Sequence, residues 1–161
     1  MQAAPAAYHR GRRVVLRSRN GLEQTADDMS DDGLITLPSD FPVAETIDRL
    51  AELVTARGLH VFARVDHADG AAKAGMALRP TQLLIFGNPT GGTPLMQDRQ
   101  TAGIDLPVKA LAWEDADGRV WIGYNDAAWI AQRHGLGAES SNAVDTMAAG
   151  LAALTKAAAT R

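Results

Sequence analysis

The glycine-rich stretch LLIFGNPTGGTPLMQ, residues 83–97, is the segment of this chain whose residue types are best suited to bind an anion. An apolar run ends there in a turn, and Thr93-Pro94 is expected to open a helix. Backbone N–H groups of Gly91, Gly92 and Thr93 at a helix N-terminus would attract a phosphate or carboxylate. The sequence therefore offers an anionic-ligand site at this turn.

A structural role explains the same turn without a ligand. Asn88-Pro89 is typical of a turn, and Thr93 would cap a helix with Pro94 in its first position. GNPTGGTP lacks the lysine of a P-loop and the glycine spacing of a dinucleotide-binding fingerprint. The sequence favours a loop and a helix cap over a nucleotide cradle.

Four histidines are the next candidates for chemistry. His9 lies near the N-terminus, and His60 is expected on the polar face of a strand. His67 follows a predicted strand, and His134 lies in the predicted last turn of a helix. If His67 and His134 converged, they would form a two-histidine metal site, a haem pocket or a general base. The alternative is that both imidazoles are hydrogen-bonded at the ends of their elements.

No arrangement of a nucleophile with its base is recognisable. The chain has no G-x-S-x-G elbow, which leaves the question of an enzyme open. Polar residues at predicted element ends, where ligands usually bind, instead suggest one small-molecule pocket. Its candidate members are Asp66, His67, Asn88, Gly91, Gly92, Thr93, Tyr124 and His134.

Composition excludes several classes of protein. Hydrophobic residues make up 46% and charged residues 22% of the 161 residues, as in soluble globular domains. The net charge of −3 and the 5% aromatic content argue against nucleic acid as a partner. The absence of cysteine removes disulfides, thiolate metal sites and a cysteine nucleophile. No apolar run is long enough for a membrane span or a signal peptide, so a cytoplasmic location without membrane attachment is expected.

Residues 1–33 differ in charge from the rest of the chain. Five arginines precede the first acidic residue, and five acidic residues then fall within residues 23–32. The segment is interpreted as a flexible N-terminal extension whose charges pair with each other. The alternative, a basic arm for nucleic acid, predicts binding that falls steeply with salt.

The remaining sequence predicts an α+β fold with mostly antiparallel strands and packed helices. Pro42 suits the first position of a helix capped by Ser39 or Asp40 and ended by Gly58. Asp117-Gly118 predicts a hairpin between two strands. A helical stripe from Val144 to Leu154 predicts a last helix, which would fray at AAATR.

Three stretches carry a family resemblance: VDHADGAAKAGMALRPTQLLIFGNPTGGTPLMQ, GIDLPVKALAWEDADGRVWIGYND and AQRHGL. They resemble the bacterial and archaeal family known as domain of unknown function 302, over roughly residues 34–136. The resemblance implies a β-α-β(4)-α order like that of the TATA-box-binding protein, and a homodimer. It transfers no catalytic role. The positions that it marks are Asp66, His67, Phe86, Gly87, Asn88, Pro89, Asp105, Leu106, Pro107, Trp113, Tyr124, Asn125 and His134.

The sequence thus predicts a core domain over residues 34–136 with an extra C-terminal helix over residues 137–161. The leading functional hypothesis is a homodimeric ligand-binding or interaction module without an assigned reaction or a known cofactor. The competing hypothesis is a metal- or haem-binding protein or an enzyme that uses His67 and His134.

Overall fold

The computed structural model describes residues 32–161 as an antiparallel sheet with helices. The predicted N-terminal extension therefore lies almost wholly outside the described residues. The strands are β1 (Leu34–Ser39), β2 (His60–Asp66), β3 (Thr81–Gly87), β4 (Val108–Glu114) and β5 (Val120–Asn125). The helices are α1 (Val43–Ala56), α2 (His67–Lys73), α3 (Pro89–Asp98), α4 (Ala127–His134) and α5 (Ser141–Ala159), with short 3₁₀ turns at Gln100–Ile104 and Ala138–Ser140.

The five strands form one sheet in the order β1-β5-β4-β3-β2, and every neighbouring pair is antiparallel. The α+β class and the β-α-β(4)-α order are confirmed, with α2, α3 and α4 as additions between the main elements. The register brings the end of β3, the start of β4 and the end of β5 to one end of the sheet, since Phe86 pairs with Val108 and Ala110 with Tyr124. This end of the sheet carries α3 and α4.

Helices α1 and α5 cover one face of the sheet. Alternate strand residues point to that face, as the two-residue period of a strand requires. Leu84 and Phe86 of β3 and Ile122 of β5 are fully or almost fully buried against Ile47 and Leu50 of α1. The hydrophobic core therefore lies between the sheet and this helix pair.

The opposite face of the sheet is apolar and only half-buried. Its residues are the alternate neighbours of the core residues, among them Leu83, Ile85, Leu111, Trp113 and Trp121. We call these five residues the outer face. Trp113 lies over Gly123, where a Cβ atom would come within 3.1 Å of the indole ring. The absence of a Cβ atom at Gly123 thus leaves room for the Trp113 indole.

Helix α5 belongs to the same core as residues 34–136. Leu151 and Leu154 are buried in the cluster that also contains Ile47 and Phe86. The fraying predicted at AAATR, residues 157–161, is wrong for its first three residues, because the helix continues to Ala159. The Arg49 side chain of α1 donates hydrogen bonds of 3.0–3.2 Å to the carbonyl oxygens of Ala157, Ala158 and Thr160, which satisfies this helix end.

Two predicted helix starts are wrong. Helix α3 begins at Pro89, not at Thr93, because Asn88 supplies the cap and Pro94 lies inside the helix. Helix α1 begins at Val43 without a side-chain cap, because the Ser39 hydroxyl is hydrogen-bonded to Thr46 Oγ1 at 2.7 Å. The cap of α3 is thus Asn88 instead of Thr93, and the Ser39 hydroxyl pairs with a side chain of α1 instead of a backbone N–H at its start.

The predicted hairpin and helix end at two glycines are confirmed. Gly118 has a φ of 78° in the turn between β4 and β5, and Gly58 has a φ of 72° just after α1. Residues with a Cβ atom rarely adopt this left-handed region, which explains glycine at both turns. In the described part of the chain, no helix combines the length and apolar character required to cross a bilayer.

Candidate functional site

A large apolar cleft opens between α3, α5 and the strand ends that lie beneath them. Its volume is about 900 Å³, which is within the range of small-molecule sites. We call it the α3–α5 cleft. Its lining residues are Arg57, Leu59, Phe62, Phe86, Gly87, Asn88, Pro89, Thr90, Gly91, Gly92, Thr93, Pro94, Met96, Leu106, Pro107, Val108, Asn142, Ala143, Thr146, Met147, Gly150, Leu151 and Leu154.

The glycine-rich turn forms one wall of the α3–α5 cleft. Asn88 is the N-cap of α3, and its Oδ1 accepts a hydrogen bond of 2.7 Å from the N–H of Gly91. The N–H of Gly92 donates to the backbone carbonyl oxygen of Asn88 at 3.3 Å. Since these donors already have partners, the turn supplies a wall and a helix cap rather than a free anion cradle.

Helix α5 forms the facing wall, and part of it lacks side chains. Met147 presents apolar surface to the cleft, and Leu151 and Leu154, which are almost fully buried, also line it. Gly150 lies between them, and a Cβ atom placed there would have no neighbour within 4 Å. A glycine inside a helix costs about 1 kcal/mol relative to alanine. Because glycine has no side chain, this part of the cleft stays open in spite of that cost.

His134 lies in a separate, closed polar cluster. Its Nε2 is 2.6 Å from Asp105 Oδ2, and its Nδ1 is 3.0 Å from Thr101 Oγ1. Arg133 Nη1 donates to both oxygens of the same carboxylate, at 3.0 and 3.3 Å. We call these four residues the Asp105 cluster. The side chains of Asp105 and His134 are only 9% and 7% exposed, so their charges and dipoles are largely removed from water.

Asp66 and His67 lie at the opposite end of the sheet. Asp66 pairs with Gln82 at the start of β3, whereas Asn88 follows the end of that strand. Seven residues of extended chain separate the two ends, which corresponds to about 20 Å. Asp66 Oδ1 caps α2 through the N–H of Asp69 at 2.9 Å. The eight sequence-predicted site residues therefore do not form one pocket.

The same separation bears on the two-histidine hypothesis. His67 begins α2 beside the edge strand β2, whereas His134 ends α4 and is held by Asp105 and Thr101. Within residues 32–161, no group of three or more histidine or acidic side chains is placed to hold a metal ion. The structure does not bring these two imidazoles together.

Tyr124 is a core residue rather than a lining residue. It is 6% exposed, and it belongs to the cluster between the sheet and helices α1 and α5. Burial raises the pKa of its phenol, and a hydrogen bond with Thr155 partly offsets that rise. The neutral phenol is thus favoured, as expected of a tyrosine that packs.

Asp98 connects the two walls of the α3–α5 cleft at their base. Its Oδ2 accepts hydrogen bonds of 2.7 Å from both the Ser140 hydroxyl and the N–H of Gly137. The Ser140 hydroxyl, and secondly the Gly137 N–H, lower the pKa of this carboxyl. The ionised carboxylate therefore joins the end of α3 to the start of α5.

The sequence interpretation missed most of the α3–α5 cleft. Neither Arg57 nor Gly150 is among the residues that the sequence singles out as candidates. Leu151 and Leu154 were correctly assigned to a buried stripe, but periodicity does not separate residues that contact the core from residues that also border an open cleft. An unexplained glycine inside a strong helical stripe was the available signal.

Comparisons with known proteins agree on the family and the fold. The family model of "Domain of unknown function DUF302" matches residues 35–154. The crystal structure of an uncharacterized conserved protein DUF302 from Bacillus stearothermophilus superimposes with a TM-score of 0.70. It is 20% identical, and the match covers 78% of this chain and 98% of that one. At this identity the likeness supports the fold alone.

Curated relatives carry the name of a channel. "Fluoride-specific ion channel FluC 1" of Brucella suis biovar 1 is 54% identical over 129 residues, which is 80% of this chain and 51% of the relative. "Fluoride-specific ion channel FluC 2" of Brucella melitensis biotype 1 is also 54% identical, over 80% of this chain and 48% of the relative. The chain thus spans about half the length of the curated relatives that it matches.

Proposed function

The chain belongs to the family "Domain of unknown function DUF302", and we propose that this member is a homodimeric module that binds a small apolar molecule in the α3–α5 cleft. The observation that carries this proposal is an apolar cleft of about 900 Å³ that opens on a folded core. A volume of this size is suited to a molecule of the size of a drug or a common metabolite.

Two features of the walls support binding rather than a packing defect. Accessible apolar surface gathered in one place commonly marks a binding site, and Phe62, Met96 and Met147 contribute such surface to the cleft. Gly150 keeps part of the space open at a cost to helix stability. An apolar molecule that filled the cleft would remove these apolar surfaces from water.

The neutral apolar dye Nile red tests this proposal. We expect its fluorescence to rise on binding to the unmodified protein, and Gly150→Leu to weaken the binding by about tenfold or more, because the new side chain occupies the volume that the dye needs. The same substitution is not expected to lower the melting temperature, since leucine is a better helix former than glycine and has space here.

Gly70→Leu is the matched control. Gly70 lies within helix α2, where a Cβ atom also has no neighbour within 4 Å, but α2 lies outside the cleft. This variant should bind Nile red like the unmodified protein. Equal binding by the Gly150→Leu and Gly70→Leu variants would overturn the cleft as the binding site.

The outer face supports the dimer. Leu83, Ile85, Leu111, Trp113 and Trp121 lie on the same face of three neighbouring strands. Surfaces of this kind commonly mark an interface between protein molecules. A second copy of the chain that packed its own outer face against this one would bury both in a two-fold symmetric contact.

Leu111→Glu tests the dimer because it places a charge at the centre of the outer face. We expect light scattering after size-exclusion chromatography to give a dimer mass for the unmodified protein and a monomer mass for the variant. Ala153→Glu, at an exposed position of α5, is the control and should remain dimeric. A monomeric unmodified protein would contradict the dimer without affecting the cleft.

The names of the curated relatives favour a second candidate function, in which the chain acts together with a fluoride channel. The supporting observation is 54% identity over 80% of this chain to proteins that carry that name. Deletion of the coding sequence is then expected to lower the fluoride concentration at which cells stop growing. Unchanged fluoride tolerance would contradict this candidate.

A further inference from the structure

Arg57 is a charged residue in the wall of the α3–α5 cleft. Among the described residues that line it, only Arg57 carries a charge at neutral pH, and no carboxylate is present. Arg57 follows the last turn of α1 as its C-cap. Its guanidinium forms no hydrogen bond or ion pair with the described part of the chain, whereas those of Arg49, Arg64 and Arg133 all have partners.

Apolar surface begins immediately beside this cation. Leu59 and Phe62 are close to Arg57 in sequence and line the same cleft, and Phe62 is 54% exposed. Farther along the wall, Met96 and Met147 are half-buried and also line the cleft. The cleft thus combines one cationic position with a long apolar surface.

We propose that the α3–α5 cleft takes an amphiphilic monocarboxylate, with its carboxylate against Arg57 and its hydrocarbon body against Phe62, Met96 and Met147. This inference rests on the proposed function, because it names the class of ligand for the same site. A guanidinium is a planar donor that can bind both oxygens of a carboxylate. A hydrocarbon chain is the complement of the apolar wall.

Other ligand classes fit these walls less well. A cationic amphiphile would meet Arg57 and would find no carboxylate in the lining. A nucleotide or inorganic phosphate would need free backbone donors, but the N–H groups of Gly91 and Gly92 donate to Asn88. A neutral hydrocarbon would fill the apolar volume and leave the guanidinium without a partner from the ligand.

Calorimetric titration with three probes of equal chain length tests the head group. The probes are decanoate, decanol and decylammonium, each used below the concentration at which it forms micelles. We expect the unmodified protein to bind decanoate about tenfold more tightly than decanol, as a charge-assisted hydrogen bond would give, and decylammonium most weakly.

Arg57→Gln should abolish the preference for decanoate over decanol while leaving decanol binding unchanged. Arg57→Glu should reverse the order, so that decylammonium binds most tightly. Arg119→Gln is the control, because Arg119 is an exposed arginine in the β4–β5 turn, away from the cleft. That variant should keep the order of the unmodified protein.

The outcomes separate this inference from the proposed function. Equal binding of decanoate and decanol by the unmodified protein, or an unchanged preference in Arg57→Gln, would overturn the monocarboxylate and leave the apolar site in place. If neither decanol nor Nile red bound, the proposed function itself would fail. An anion preference lost in Arg119→Gln as well as in Arg57→Gln would show that overall charge, not the position of Arg57, sets it.

Discussion

The α3–α5 cleft and the Asp105 cluster lie at the same end of the sheet, yet they are opposite in character. The cluster has the residue types associated with chemistry, namely a carboxylate, an imidazole, a guanidinium and a hydroxyl. Each of its polar groups has a partner within 3.3 Å, and its centre is buried. The cleft has mainly apolar groups, but it has open volume and a cation, Arg57, that has no hydrogen-bond or ion-pair partner among residues 32–161.

This difference shows that residue type alone does not identify a binding site. A histidine with both ring nitrogens hydrogen-bonded and 7% exposure must break contacts before it can bind a ligand. An apolar cleft has no such contacts to break. We therefore assign a structural role to the Asp105 cluster, which joins α4 to the segment before β4, and a binding role to the cleft.

The largest expected effect is that of Asp105→Ala on stability. The substitution leaves His134 and Arg133 without their shared carboxylate, and breaking a buried pair of this kind costs about 3 kcal/mol in the free energy of unfolding. Urea denaturation measures this loss. Nile red affinity, measured where the variant is folded, should remain unchanged.

Asp48→Ala is the control for that comparison. It also removes a carboxylate from an arginine, Arg64, but the side chain of Asp48 is 58% exposed. We expect a loss of less than about 1 kcal/mol, since exposed ion pairs contribute little. If Asp105→Ala cost no more than Asp48→Ala, the Asp105 cluster would not have the structural role that we assign to it.

Removal of a helix cap has the next largest expected effect on stability. Asn88→Ala removes the cap of α3, and Asp126→Ala removes the cap of α4, where Oδ1 accepts from the N–H of Ala128 at 3.0 Å. Each should cost about 1 kcal/mol in thermal or urea unfolding. Only Asn88→Ala should also weaken Nile red binding, because Asn88 lines the cleft and Asp126 does not. If Asn88→Ala and Asp126→Ala weakened Nile red binding equally, the α3–α5 cleft would not be the binding site.

The smallest expected effect is that of Asp98→Asn on thermal stability in acid. Its pKa is lowered in the folded protein, so its hydrogen bonds to Ser140 and Gly137 stabilise the fold at pH values above the unfolded pKa of about 3.9. That contribution is lost as the pH falls through the lower folded pKa. Asp98→Asn should therefore reduce the drop in melting temperature between about pH 6 and about pH 2.

Asp115→Asn is the comparison for Asp98. The Trp121 indole, and secondly the Arg119 N–H, lower the pKa of Asp115. The Asp115→Asn variant should therefore also show a smaller drop in melting temperature on acidification. Asp115 lies in the β4–β5 turn, away from the cleft. Near neutral pH, Nile red binding should weaken in the Asp98→Asn variant alone, because Asp98 joins the two walls. Weakening in both variants would argue against that role.

Much of the fold could be predicted because it depends on local sequence patterns. The hairpin at Asp117-Gly118 and the end of α1 at Gly58 depend on glycine conformations that neighbouring residues hardly affect. The stripe from Val144 to Leu154 follows from the helical period. The start of α3 is misplaced because Asn88 and Thr93 are both good caps, and the structure uses Asn88, whose Oδ1 accepts from the N–H of Gly91.

The candidate site could be predicted only in part, because it depends on strand direction. Asn88, Gly91, Gly92 and Thr93 line the cleft, as expected of one segment. The sequence groups Asp66 and His67 with these residues because both segments follow a strand. Strands β2 and β3 are antiparallel, however, so the last residues of β2 and the last residues of β3 lie at opposite ends of the sheet. The open volume beside Gly150 comes from the packing of α3 against α5, which no local pattern encodes.

The most direct test of the binding role is an amide NMR titration of the isotope-labelled protein with decanol. The α3–α5 cleft as binding site predicts shifts at the amides of Gly91, Gly92 and Gly150, with no shift at Gly123 beneath Trp113 on the outer face. Shifts at Gly123 and at the Trp113 and Trp121 indoles, with the three cleft glycines unchanged, would place the ligand on the sheet and contradict the account.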